Sequence, residues 1–202
     1  MEGFFIDSKN ENEVKISKTA KIYPNTLIIG KSVVCDDVII YPNSVISNSY
    51  IGKGSVVKSS FVEDSKVFEH VEVGPFANIK QNSIVGKKSV IGNFVEVKNS
   101  VIGEKVKAKH HSYIGDAEIG DGCNIGCGVI FANFNGKTKE KIKIENNCFI
   151  GCNSNLVAPL IVAEKTYICA GTTLTQNTKA GDFVIGRCHE TIKPNRGFGY
   201  FD

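Results

Sequence analysis

The chain is 202 residues long, 42% hydrophobic and 22% charged, with a net charge of +3 at pH 7. This composition is globular rather than disordered, and the charge is too mild to argue by itself for nucleic acid or an anionic membrane. The length suits one domain, no apolar run approaches the roughly 18 residues of a spanning helix, and seven cysteines without a secretion leader predict reduced thiols in a cytoplasmic protein.

In chain order, residues 1–14 read as a short lead-in with no core of their own. From residue 15 a period of six takes over. Ile16, Ile22, Ile28, Val34, Ile40 and Ile46 fall six apart without a break. Ile51, Val57, Val62, Phe68, Val73, Ile79, Val85, Ile91, Val97, Ile102, Ala108, Ile114, Ile119, Ile125 and Phe131 continue by sixes and occasional fives. Ile144, Ile150, Leu156, Val162, Ile168 and Leu174 resume it. Neither a helical period of 3.6 nor an alternation of two gives this spacing. A short strand, a corner and another short strand do, and Gly, Asn or Asp follows many of these positions, as tight corners require. The 24 isoleucines against four leucines favour strands over helices. Three hexapeptides make one triangular coil, and stacked coils bury a column of β-branched side chains. A β-sandwich of short strands is the competing fold, but its loops vary in length and would lose a six-residue register. The sequence therefore predicts an all-β, parallel β-helix over residues 15–177. Thirteen positions separate Phe131 from Ile144 where the repeat allows six. The surplus, with Asn135-Gly136 and Lys137, Lys139 and Lys141, predicts a protruding basic loop at 132–143. Residues 178–202 form a tail in which the repeat fades.

A fixed register also predicts contacts between distant residues. Ile79 and Val97 are one coil apart, so Lys80 and Lys98 should point outward from adjacent rungs about 4.8 Å apart. Like charges so placed are destabilising and need compensation, from Glu63 or Glu96 or from a bound anion such as phosphate. The same register stacks Tyr113 over Glu96, and the resulting polar cluster suits a sugar phosphate. His110 shares a corner position with Pro75, Asn93, Cys127, Cys152 and Ala170, and its ordinary pKa suits a general base.

The segments Val-Gly-Pro-Phe-Ala (73–77), Gly-Asn-Phe-Val-Glu-Val-Lys (92–98) and His-His-Ser-Tyr-Ile-Gly-Asp-Ala-Glu-Ile-Gly (110–120) are more specific than the repeat. With Asn-Ile-Gly (124–126), Asn-Phe-Asn-Gly-Lys (133–137) and Leu-Val-Ala-Pro (156–159), they resemble the acetyltransferase domain of the bacterial bifunctional N-acetylglucosamine-1-phosphate uridylyltransferase/glucosamine-1-phosphate acetyltransferase, a hexapeptide-repeat acyltransferase. The resemblance implies that the coil is left-handed, an exception to the usual crossover rule. It implies acetyl transfer from acetyl-CoA to an amino-sugar phosphate in the UDP-N-acetylglucosamine pathway, most simply glucosamine 1-phosphate, with no metal required for the transfer. It makes His110 the base and Glu96 its neighbour. It gives the substrate Lys98, Tyr113, Asn124, Asn133 and Lys139, and Lys80 where the family has arginine. It sets Cys127, Cys152, Ala170 and Arg187 along the acetyl-CoA channel, and implies a homotrimer with sites between chains.

The chain departs from that family at four of these positions. Lys80 gives up a bidentate fork on phosphate. Phe134 stands for a tyrosine, and Cys127 and Cys152 for an alanine and a serine. No Gly-rich nucleotide loop precedes the repeat, so uridylyl transfer is not expected of this chain. Rival readings are an acetyltransferase for another amino sugar or sugar nucleotide, and a non-catalytic β-helix that docks a separate uridylyltransferase. Cys123, Cys127, Cys148 and Cys152 pair up across the loop-bearing coil as a candidate zinc site or redox pair, but the spacing departs from the usual zinc knuckle and small residues are what β-helix corners demand in any case. A site of three converging histidines would need His70 and His189 to share the register of His110, which they do not.

Overall fold

In a computed structural model, residues 5–6, 13–186, 190–196 and 198 are described. Their strands are mostly two or three residues long and pair in parallel. Lys15–Ile16 pairs with Val33–Val34 eighteen residues on, and Asn78–Lys80 pairs with Glu96–Lys98 at the same interval. Where the sequence steps by five the offset falls to seventeen, as between Val97 and Ile114. Nine strands stack into one face, and the rest make the other two faces, joined where Val90–Lys98 and Lys107–Gly115 run through a corner as nine-residue strands. The fold is the parallel β-helix expected. Among the described residues no helix is long and apolar enough to cross a membrane.

The column read from the sequence lines the interior. Ile28, Ile40, Ile46, Ile79, Ile91, Val97 and Ile114 are completely buried. One position is corrected. Val67, and not Phe68, points inward, because the two short steps fall between Val57 and Val67 and the long one follows. Phe68 instead packs edge-on against Tyr50 outside the coil. Strand pairing also extends past the limits 15–177: Phe5–Ile6 pairs with Leu27–Ile28, and Phe183–Val184 with Tyr167–Ile168.

A second inward column, two residues before the first, carries small side chains. Ser49, Ser60, Ser83, Ser89, Ser100 and Ser112 occupy this position on different faces of the coil, all buried. Their hydroxyls are satisfied by backbone. The Ser60 Oγ accepts from Ala77 N at 3.1 Å, and the Ser89 Oγ from Val106 N at 2.9 Å. Elsewhere the same position takes Val71, Val95 or Ile142, also buried, so where serine stands its hydroxyl must be bonded, since an unbonded one would cost stability. Cys123 and Cys148 are members of this column. The Cys123 sulfur accepts from Cys148 N at 3.4 Å, and its thiol donates to the Glu145 carbonyl at 3.0 Å.

Corners need a left-handed backbone, and this decides their residue types. Asn25, Asp37, Asn43, Asn48, Asp64, Asn82, Asn99 and Asp116 all have φ near +50°. Asn and Asp tolerate that region because a short polar side chain can bond locally. Gly92 is glycine for a second reason. A Cβ there would collide with the backbone of Lys109 in the next coil.

Candidate functional site

The rung prediction holds at the residue level. Lys80 pairs with Lys98, and Glu96 with both Asn78 below and Tyr113 above. Of the compensating groups expected, Glu96 serves: its carboxylate lies 3.0 Å from the Lys80 ammonium. Both groups are partly exposed, so this ion pair contributes little to stability and can exchange partners.

Lys139 enters from the inserted segment. Ile119 pairs with Ile144 across 25 residues, so seven residues are extra in this coil. They do not simply project. Phe134 and Lys139 form an antiparallel bridge around Gly136, whose φ is +94°. The Asn135 side-chain oxygen caps the turn by accepting from Lys137 N at 2.9 Å and Thr138 N at 2.8 Å. Closed in this way, the loop carries Lys139 back to its own coil. The Lys139 ammonium, then desolvation, then Lys80 hold Lys98 below the ordinary lysine pKa, while Glu96 opposes them. Three ammonium groups thus converge around one carboxylate, and the surplus charge is positive.

The floor beside them is a hydrogen-bonded brace. Asn133 is 6% exposed, and its amide donates to Asp116 Oδ2 at 2.5 Å and to the Tyr113 hydroxyl at 3.3 Å. Asn99 donates to the other Asp116 oxygen at 2.5 Å. The carboxylate of Asp116 therefore ties the root of the loop to the next corner. Gly115, level with Lys98, leaves room for this, because any Cβ would strike the Tyr113 hydroxyl and the Asn133 amide. Asp116, Asn99 and Gly115 had no assigned role from sequence. The only hint was Asp116 itself, inside the Ser-Tyr-Ile-Gly-Asp segment at a corner.

His110 pairs with Asn93 at the preceding corner and is exposed. Continuing that register, Cys127, Cys152 and Ala170 follow it in successive coils, two residues beyond Ile125, Ile150 and Ile168. His111 was not singled out for the site, yet it lines a depression of about 180 Å³ with Phe94, Glu96, Ser112, Tyr113 and Ile130. Asn124 lies across the corner from the lysines, between Lys107 and Phe149 on another face. Within one chain the structure therefore unites Lys80, Glu96, Lys98, Tyr113, Asn133 and Lys139, aligns His110 with the corner column, and leaves Asn124 apart. Arg187 lies outside the described residues. A larger cleft of about 500 Å³, between Val101, Glu118, Lys143, Glu145 and Glu164, includes none of the predicted site residues. Among the described residues no group of three or more His, Cys, Asp or Glu is arranged to hold a metal ion.

Residues 61–138 match the family model described as the GMPPB C-terminal domain. The chain is 47% identical over 181 residues to the bifunctional protein GlmU of Clostridium acetobutylicum, covering 90% of this chain and 40% of that protein. It is 48% identical over 183 residues to GlmU of Clostridioides difficile, covering 91% of this chain and 40% of that one. The chain thus spans about 40% of the length of these relatives. Among solved structures, the polysialic acid O-acetyltransferase OatWY aligns over 94% of this chain and 95% of its own, at 14% identity and a TM-score of 0.43. On the repeat, the fold and this identity together, the chain is a relative of one part of the GlmU proteins.

Proposed function

We propose that the chain transfers the acetyl group of acetyl-CoA to the amine of an amino-sugar phosphate, with glucosamine 1-phosphate as the first candidate. The observation that carries this reading is the convergence of Lys80, Lys98 and Lys139 beside Tyr113 and Asn133. Phosphate is the ordinary partner of clustered lysines, while a phenol and a carboxamide suit sugar hydroxyls. Binding a dianion would relieve the repulsion among the three ammonium groups. Once phosphate takes Lys80, the Glu96 carboxylate is released to orient an imidazole. The base is His110, which removes a proton from the sugar ammonium so that the free amine can attack the thioester carbonyl. Thiolate leaves as CoA and an amide remains. The corner column above His110, through Cys127, Cys152 and Ala170, gives the thioester a path along the prism edge. Asn124, on the far side of that corner, serves best if a neighbouring chain completes each site, as in a homotrimer. Uridylyl transfer is outside this reading, since the residues described form only the β-helix.

The direct test is thiol release from acetyl-CoA with glucosamine 1-phosphate, glucosamine 6-phosphate and UDP-glucosamine as acceptors. Release with the first and little with the others is expected. Release with none of the three would refute the proposal. Lys98→Ala should raise the KM for the phosphorylated acceptor by about 10–100-fold, the scale of a hydrogen bond to a charged group, and change kcat less. An equal loss with unphosphorylated glucosamine would show that Lys98 does not serve phosphate.

A further inference from the structure

Two of the corner residues above His110 are thiols, and nothing in the proposed acetyl transfer needs sulfur at either. Cys127 and Cys152 are both free and exposed. Their coils are locked together at this point. Gly126 N donates to the Ile150 carbonyl at 2.9 Å, and Asn153 N to the Cys127 carbonyl at 2.8 Å. The coils also touch without intervening side chains, since a Cβ built on Gly126 would lie 2.6 Å from the nitrogen of Cys152. Equivalent residues in adjacent rungs stand about 4.8 Å apart, inside the Cα range of about 4.4–6.8 Å that a disulfide spans. The other stacked pair differs in the property that matters for reaction. Cys123 and Cys148 are 1% and 2% exposed in the small-residue column. Their mutual hydrogen bond pushes the Cys123 thiol up and the Cys148 thiol down, but burial keeps both from a dissolved oxidant.

We infer that Cys127 and Cys152 form a peroxide-sensitive dithiol that closes to a disulfide and restricts the corner leading to His110. One thiolate attacks hydrogen peroxide, the O–O bond breaks, and a sulfenic acid forms with release of hydroxide, which takes up a proton to become water. The second thiolate attacks the sulfenic sulfur, the S–O bond breaks, and the departing hydroxide is protonated to a second water. In sum two thiols lose two electrons and two protons, and one peroxide becomes two waters. The bridge fixes two side chains that otherwise move independently beside the imidazole. Its chemistry stands alone, whereas its effect on catalysis rests on the acetyl-transfer reading above.

The test treats the full chain with hydrogen peroxide, alkylates the remaining thiols and maps the digested peptides by mass. A Cys127–Cys152 linked peptide lighter by two hydrogens, reversed by dithiothreitol, is expected. Thiol release from acetyl-CoA should fall about tenfold on oxidation, the scale of a small steric misfit in a binding channel, and return on reduction. Cys127→Ala and Cys152→Ala should each lose the linkage, and whatever activity each retains should no longer respond to peroxide. Linkage of either thiol to Cys169 or Cys188 instead, or oxidation of the two singly to sulfinic acids, would overturn the assignment. If the linked peptide forms in a protein that releases no thiol in either redox state, the dithiol stands and the acetyl-transfer reading fails.

Discussion

Replacing His110 by alanine should lower kcat by about 10²–10⁴-fold while the KM for the amino-sugar phosphate changes little. The reason is division of labour. In the proposed site Lys80, Lys98 and Lys139 are the groups that would hold the phosphate, on a flat face, and His110 stands at the corner, apart from that charge. Removing the imidazole leaves the acceptor bound with its amine protonated, so attack on the thioester waits on solvent to take the proton. The loss should shrink at alkaline pH, where more of the amine is already free, and this separates a missing base from a collapsed site. His111→Ala is the necessary companion. His111 lines the depression with Glu96 and Tyr113, and its backbone has a φ of +38°. If His111→Ala shows the large kcat loss and His110→Ala does not, the base is His111, and the corner column loses its claim to the thioester.

How the two histidines divide was not legible in the sequence, while much of their surroundings was. A period of six fixes which residues face inward, and with a coil of eighteen it fixes which outward residues are neighbours. The pairing of Lys80 with Lys98 and of Glu96 with Tyr113 followed from counting alone. Phe68 failed because fives and sixes between Val57 and Val73 can be ordered more than one way, and a phenylalanine and a valine are equally apolar. The serine column was hidden for a different reason. Serine reads as a turn residue, and its place inside the coil depends on hydroxyl bonds to a neighbouring rung, such as Ser100 Oγ accepting from Ala117 N at 3.0 Å. Lys139 was assigned to the site only through resemblance. Its loop has no register, and only the fold-back around Gly136 places its ammonium by Lys98. Proximity in rungs is encoded by the repeat; proximity made by an insertion is not.

Asp116→Ala should release that loop. The Asp116 side chain is 8% exposed and accepts from Asn99 and Asn133, each at 2.5 Å, with its own backbone at φ +50°. Alanine removes two hydrogen bonds to a charged group, leaves the buried Asn133 amide with the Tyr113 hydroxyl as its side-chain partner, and sits poorly in the left-handed region. Together these cost about 3–5 kcal/mol. In a solenoid each coil contacts only its neighbours, so the cost falls on the local unit more than on the whole. The reporters are therefore local. Glu140 N bonds to the Asn133 carbonyl at 2.8 Å and Asn135 N to the Thr138 carbonyl at 3.1 Å. Both amides should exchange with deuterium much faster in the variant, and the loop should become the first site of tryptic cleavage at Lys137 or Lys139. With Lys139 no longer held beside Lys98, the KM for a phosphorylated acceptor should rise by at least as much as in Lys98→Ala. Asp116→Asn keeps a side chain that tolerates the corner and retains an acceptor, so it should fall between alanine and the parent in both measurements. Unchanged exchange at Asn135 and Glu140 in Asp116→Ala would mean that the loop is held by its own turn, and that the carboxylate braces only the corner.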